Sequence, residues 1–233
     1  VDQVQKVGIS ALQVNVNVTD HTTERHVTEI INLVEDSSIP SNVKRRAIRV
    51  FQRLGEVEGK IHGSSLEEVH LHELGGIDTI VDVVGVLMGF ELLEIEKIVC
   101  SPLPLARGFT NSAHGKLPLP APATIALLKG VPVTGMKIAG ELVTPTGAAL
   151  IRELVDEFGE VPSMELRHIG YGAGKSERNI PNVIRLLVGD ATTHQDESIT
   201  SEQLVLIETN IDDMNPELYD YVSQKLYSAG ALD

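Results

Sequence analysis

Val69-His-Leu-His-Glu-Leu-Gly-Gly-Ile-Asp-Thr-Ile-Val-Asp-Val-Val-Gly85 is the stretch on which the reading of this chain turns. Gly75-Gly76 divides it. On the near side, His70 and His72 are two apart and share a face if that piece is a strand. Glu73 faces the other way unless the strand ends there, which the glycine pair favours. On the far side, Asp78 and Asp82 are four apart and share a helix face, and Gly85 and Gly89 extend the same stripe. The helix predicted over 77–93 is apolar on most of its circumference and reads as buried. Imidazoles and carboxylates are costly to bury without partners, and metal ions are among the partners that stabilise them. Two histidines with two or three carboxylates suit Ni, Zn, Mn or Fe better than Ca, which prefers all-oxygen sites. The residues leave the plainer alternative open: Asp78 capping the helix, Asp82 paired with an arginine, and two ordinary histidines.

Outward from this run, residues 7–18 alternate Val14, Val16 and Val18 with Asn15 and Asn17, the period of a half-buried strand. Val27, Ile30, Ile31 and Val34 mark a short amphipathic helix. Val43, Ala47, Val50, Phe51, Leu54 and Val57 mark a second, with Ser41 as its cap. Residues 95–100 and 131–138 read as strands. Pro122 opens a helix, and 146–158 forms another. Residues 167–187 give two extended pieces about a glycine-rich turn. Residues 192–203 are polar and acidic and read as a linker. Leu204–Thr209 and Pro216–Ala229 then begin a new strand and helix. The expected fold is α/β: a large mixed α/β domain over 1–191, the linker, and over 204–233 the start of a small α+β C-terminal domain. The opening Val1-Asp2 and the end at Ala231-Leu232-Asp233 read as those of a piece of a longer protein.

The net charge of −14 over 233 residues argues against nucleic acid and anionic membrane surfaces as partners. Lys44, Arg45, Arg46 and Arg49 form a local basic cluster that reads as a solvated helix face. The single cysteine, Cys100, excludes an intrachain disulfide and a multi-cysteine zinc site, and fits a reducing cytoplasm.

Residues 101–122 are rich in Pro and Gly and read as a long irregular segment carrying Arg107 and His114. Thr144-Pro-Thr-Gly-Ala148 opens a helix whose free N–H groups could meet a phosphate, or simply be capped by Thr144 or Thr146. Gly170–Ser176 resembles a phosphate-binding loop but fails on spacing. The glycine required five positions before Gly174 is Ile169, and the following segment reads as a strand. A glycine-rich turn is expected instead, with at most weak anion contact through Lys175 or Arg178.

His-Leu-His-Glu-Leu-Gly (70–75), Asp-Thr-Ile-Val-Asp-Val-Val-Gly (78–85), Cys-Ser-Pro-Leu-Pro-Leu (100–105), Ala-His-Gly-Lys-Leu-Pro-Leu-Pro-Ala-Pro-Ala-Thr (113–124), Glu-Leu-Val-Thr-Pro-Thr-Gly-Ala-Ala (141–149) and Ile-Gly-Tyr-Gly-Ala-Gly (169–174) occur in one order. Together they resemble the LarC family, the nickel-insertion proteins of lactate racemase cofactor synthesis. The resemblance implies a CTP-dependent nickel chelatase. Such an enzyme places nickel in a pyridinium-3,5-bisthiocarboxylic acid mononucleotide and cleaves CTP to CMP and pyrophosphate with Mn or Mg. It also implies a homo-oligomer, transfer of the product to lactate racemase, a histidine loop reduced here to His21 and His26, and a C-terminal CTP domain begun at Glu208–Glu217. The fragment alone is then expected to be inactive towards CTP. From chemistry and spacing, the nickel donors are sought among His70, His72, Glu73, Asp78, Asp82 and Cys100, with His114 as a ligand or proton-transfer group. The substrate phosphate is placed at Thr146 and Gly147 with Arg107. The alternatives are a nickel carrier without catalysis, and a structural oligomerisation domain.

Overall fold

The computed structural model describes residues 1–18, 24–71, 74–112, 115–192 and 219–231. The chain is mixed α/β and falls into two compact units, residues 1–192 and 193–233. In the second unit the described element is one helix, Tyr219–Ser228 (α6). The linker at 193–203, the strand expected over 204–209 and the motif at 208–217 lie outside the described residues.

The large unit is built on helix α2, Ser41–His62. Helices α1 (Val27–Asp36), α3 (Ile77–Leu92), α4 (Pro122–Leu127) and α5 (Pro145–Leu154) pack on it. The stripe that predicted α2 is the stripe it buries: Val43, Ala47, Val50, Phe51 and Leu54 are all sealed from solvent. Ser41 is the first helical residue and Pro40 precedes it as the cap, so the expected serine cap is not formed. Pro122 does open α4, where its missing N–H costs nothing.

Around the helices lie small sheets. Strands β1 (Asp2–Lys6) and β2 (Ile9–Gln13) join β10 (Met164–Ala173) and β11 (Val183–Ala191) in the order β1-β2-β10-β11. Strand β3 (Arg25–His26) pairs with β4 (His70–Leu71), and β5 (Val99–Cys100) with β9 (Glu157–Phe158). Strand β6 (Leu103–Ser112) lies between β7 (Gly115–Leu119) and β8 (Val133–Ala139).

Four expectations are corrected. The strand predicted over 7–18 is a hairpin whose second strand ends at Gln13, and its first strand was not foreseen. The segment 101–122 is not irregular but holds β6 and β7. Pro104 is tolerated because β6 is paired there to β8 alone, and Pro118 because β7 is an edge strand. Helix α3 is not buried all round: Thr79, Val83 and Leu87 face the core, while Val81 and Val86 are 42% and 38% exposed. Arg46 and Arg49 do not simply form a solvated face, since both contact Glu153 of α5. No helix of the described residues is long and apolar enough to cross a membrane.

Val7 and Gly8 both adopt left-handed backbone, at φ 48° and 83°, in the two-residue turn between β1 and β2. Such turns favour Asn-Gly, and a β-branched residue there is strained by about 1–2 kcal/mol. The Val7 side chain is largely exposed, so replacing it removes little packing. Val7→Asn is expected to stabilise the unit by about 1 kcal/mol, a rise of roughly 2–4 °C in Tm. A lower midpoint by calorimetry would show that the valine makes contacts worth more than the strain.

Candidate metal and substrate site

Strands β3 and β4 are two residues each, and their register sets His26 opposite His70. The imidazoles stack with centroids 3.7 Å apart and planes tilted by 40°. Nδ1 of His26 is buried and meets no hydrogen-bond partner among the described residues. The backbone N–H of His26 donates to Glu29 Oε2 at 3.0 Å, which holds a carboxylate beside the ring pair at the start of α1. Arg25, next in sequence, sends its guanidinium to the Gly75 carbonyl at 2.6 Å. This bond fastens the histidine strand to the glycine turn that opens α3.

On α3, Asp78 does not cap the helix. Its Oδ1 accepts from the Thr79 N–H at 2.9 Å, and Gly76 is the capping residue. Asp82, one turn on, has its carboxyl pushed above the usual range. Loss of solvent is the chief cause and the charge of Asp78 the second, while Lys175 pulls it back. Lys175 belongs to the β10–β11 connection, and its carbonyl receives Lys6 Nζ, which also pairs with Glu177. The N-terminal hairpin, the glycine-rich connection and the start of α3 thus meet in one ionic neighbourhood. An added Cβ at Gly85 or Gly89 would meet open space, so the small-residue stripe faces outward.

A raised carboxyl pKa means that the folded chain holds that proton more tightly than the unfolded chain does. Its contribution to stability is therefore fully present below 3.8 and is lost as pH rises through the folded value. Asp82→Asn is expected to raise stability at pH 7, by about 0.5 kcal/mol or less given its solvent exposure, and to give no gain near pH 4. Calorimetry in the presence of a chelator at both pH values checks this. A variant less stable than wild type at pH 7 would show that Lys175 outweighs burial and Asp78 together.

The other sought residues are placed as follows. His72, Glu73, His114 and His21 lie outside the described residues. Cys100 is half-buried against the core on β5, and burial pushes its thiol pKa up, which disfavours the thiolate that binds metal. Arg107 is exposed on β6, where its carbonyl accepts from Gly140. At the start of α5, Thr144 Oγ1 caps the Gly147 N–H at 3.1 Å and the Thr144 carbonyl takes Ala148 N–H, while Pro145 has none to offer. This leaves the Thr146 N–H to meet an outside acceptor. Gly170–Ala173 is strand, and the element after the connection is β11, so the phosphate-loop geometry is absent, as expected. Arg178 spends two nitrogens on the carbonyls of Ala139 and Glu141. Among the described residues no three His, Cys, Asp or Glu side chains converge closely enough to hold a metal. The sequence reading missed two juxtapositions, His26 with His70 and Lys175 with Asp82. Each joins residues far apart in the chain and has no local signal.

The α/β scaffold thus sets two imidazoles against each other across β3 and β4, and two carboxylates one turn apart on α3. The chain belongs to the nickel insertion protein family, whose pattern matches residues 1–233. It is 44% identical over 233 residues to the pyridinium-3,5-bisthiocarboxylic acid mononucleotide nickel insertion protein of Desulfitobacterium hafniense (strain DSM 10664 / DCB-2), covering 99% of this chain and 58% of that one. It is 44% identical to a putative nickel insertion protein of Dictyoglomus thermophilum, over 100% of this chain and 59% of the relative. To the Staphylococcus epidermidis protein of the same name as the first, it is 42% identical over 228 residues, 98% of this chain and 56% of the other. The chain thus spans under two thirds of these relatives. No solved structure matches it.

Proposed function

We propose that this chain is the metal- and substrate-handling part of an enzyme that inserts nickel into pyridinium-3,5-bisthiocarboxylic acid mononucleotide. The observation that carries this reading is 44% identity, along the whole chain, to a relative named for that insertion. Nickel is here a substrate. Its capture by the two thiocarboxylates forms two Ni–S bonds. Closing the third bond, to ring carbon, replaces a C–H bond and releases one proton to a base. His70, His72, Glu73, Asp78 and Asp82 are the donors proposed to present the ion, with Cys100 the most hindered by its raised pKa. His114 is the group proposed for the proton. Thr146 and Gly147, with Arg107, are proposed to face the substrate phosphate, chiefly through the Thr146 N–H.

CTP, cleaved with Mn or Mg, is assigned to sequence beyond this large unit, so the 233 residues alone are not expected to release pyrophosphate from CTP. A homo-oligomer, a cytoplasmic setting and delivery of the nickel-pincer nucleotide to lactate racemase complete the reading. The test uses the full-length protein with Ni(II), CTP, Mg(II) or Mn(II), and the bisthiocarboxylate mononucleotide. Stoichiometric pyrophosphate and a nickel-bearing nucleotide are expected. Nickel binding without either product would reduce the protein to a carrier.

A further inference from the structure

We propose that the exposed face of the β6–β7 hairpin is the platform on which the substrate's pyridinium ring lies, with Phe109 under the ring and Lys116 and Arg107 on its anionic groups, an inference that rests on the insertion reading above. Three observations converge on it. The first is charge. Residues 97–140 contain no aspartate or glutamate and five lysines or arginines, in a chain whose net charge is −14. Arg107, Lys116 and Lys137 place one exposed cation on each strand of the β7-β6-β8 sheet. Among the described residues no carboxylate pairs with Arg107 or Lys116. In so acidic a protein, an acid-free sheet is a surface to which an anion is steered. The second observation is the ring. Phe109 is 62% exposed, while the other three phenylalanines are buried or half-buried. The third is register. Phe109 pairs with Pro118 and Asn111 with Lys116, so Phe109 and Lys116 are diagonal neighbours on one face. The Lys116 ammonium stands 5.0 Å from the Phe109 ring centroid, and the ring face thus already accepts a cation.

The chemistry fits the molecule for which the relative is named: a flat ring with a fixed positive charge, two anionic thiocarboxylates and an anionic phosphate. A pyridinium ring over Phe109 takes up the attraction that the ammonium now uses, and adds a stack. The ammonium, on a flexible four-carbon stem, turns to a neighbouring thiocarboxylate. Arg107, exposed two positions before Phe109, offers a planar fork that suits the phosphate. A stack on the ring face leaves the ring edge uncovered. The two sulfurs and the carbon between them lie at that edge, so nickel can approach in the ring plane while the platform holds the face.

Isothermal titration of nicotinate mononucleotide into the full-length protein, without nickel or CTP, tests the platform. This probe carries the pyridinium ring, one carboxylate and the phosphate. Phe109→Leu is expected to weaken it at least about fivefold, the lower end for loss of a ring stack, and Phe109→Tyr to keep it. Lys116→Met and Arg107→Met should each weaken it by about fivefold or more, through loss of a charge-assisted hydrogen bond. All three side chains are exposed, so these changes remove little packing. Ribose 5-phosphate, which has the phosphate without the ring, should bind more weakly, and should respond to Arg107→Met but not to Phe109→Leu. Lys129→Met, in the same acid-free stretch but off the sheet, should change nothing. Unchanged affinity for the mononucleotide in Phe109→Leu overturns the platform. So does an equal loss in Lys129→Met and Lys116→Met, the mark of diffuse attraction, and so does wild-type protein that binds the mononucleotide no better than ribose 5-phosphate. Because no nickel, CTP or turnover is involved, failure of the platform leaves insertion to be judged by its own products. Failure of insertion leaves the binding results as measured.

Discussion

Phe51→Ala is expected to destabilise the large unit by about 3–5 kcal/mol, the range for removing a buried aromatic ring. Phe51 is 0% exposed and is the bulkiest of the fully sealed side chains. It sits midway along α2, the helix on which α1, α3, α4 and α5 all pack. The rest of this core is aliphatic, and close-packed aliphatic neighbours held by four helices cannot collapse into the vacated volume. For a unit of this size the loss corresponds to a fall of roughly 10 °C in Tm. Urea unfolding with an unchanged slope is the measurement. A loss below about 1 kcal/mol would mean that the helices close around the gap, and that α2 is not the rigid centre described above.

Glu153→Gln should come next in size. Its side chain is 6% exposed and receives three guanidiniums from successive turns of α2. Arg46 lies at 3.4 Å and Arg53 at 3.7 Å, while Arg49 donates Nε to both carboxylate oxygens at 3.0 and 3.2 Å and adds Nη2. The Arg49 guanidinium pKa is raised above its ordinary value, first by its hydrogen bond to this carboxylate. Removing the charge leaves three cations facing one another. For a fully buried pair the cost is about 3–5 kcal/mol, and the partial solvation of these arginines lowers it to about 2–3 kcal/mol. A double-mutant cycle with Arg49→Met should return a coupling energy of at least about 1 kcal/mol. A cycle that closes to zero would show that the arginines find water equally well without Glu153.

The helices were legible because their stripes are strong. The valine, alanine, phenylalanine and leucine spacing of α2 and the Pro122 start of α4 survive intact, and Thr144 caps α5 as one of two weighed roles. Helix α3 was misjudged because apolar residues on every side argue for burial, whereas the fold covers one side only. The β6–β7 hairpin was hidden by prolines that are harmless at an unpaired stretch and an edge, and the β1–β2 turn by a valine where asparagine is expected. At the site, spacing alone placed Asp78 and Asp82 in one electrostatic neighbourhood. No spacing rule joins His26 to His70 or Lys175 to Asp82, because those meetings depend on strand register and on a connection between distant strands.

Strand β2 meets the rest of its sheet through β10, in a parallel pairing of Leu12 with Gly172. About 160 positions separate them, and at a synthesis rate of 5–20 residues per second the hairpin waits roughly 8–30 s on the ribosome before its neighbour exists. During that interval Leu12 and the unpaired edge of β2 are available to any passing strand, the usual route to misassembly. The fate of the β1–β2 hairpin therefore depends on what shields a nascent polypeptide as well as on the finished sheet.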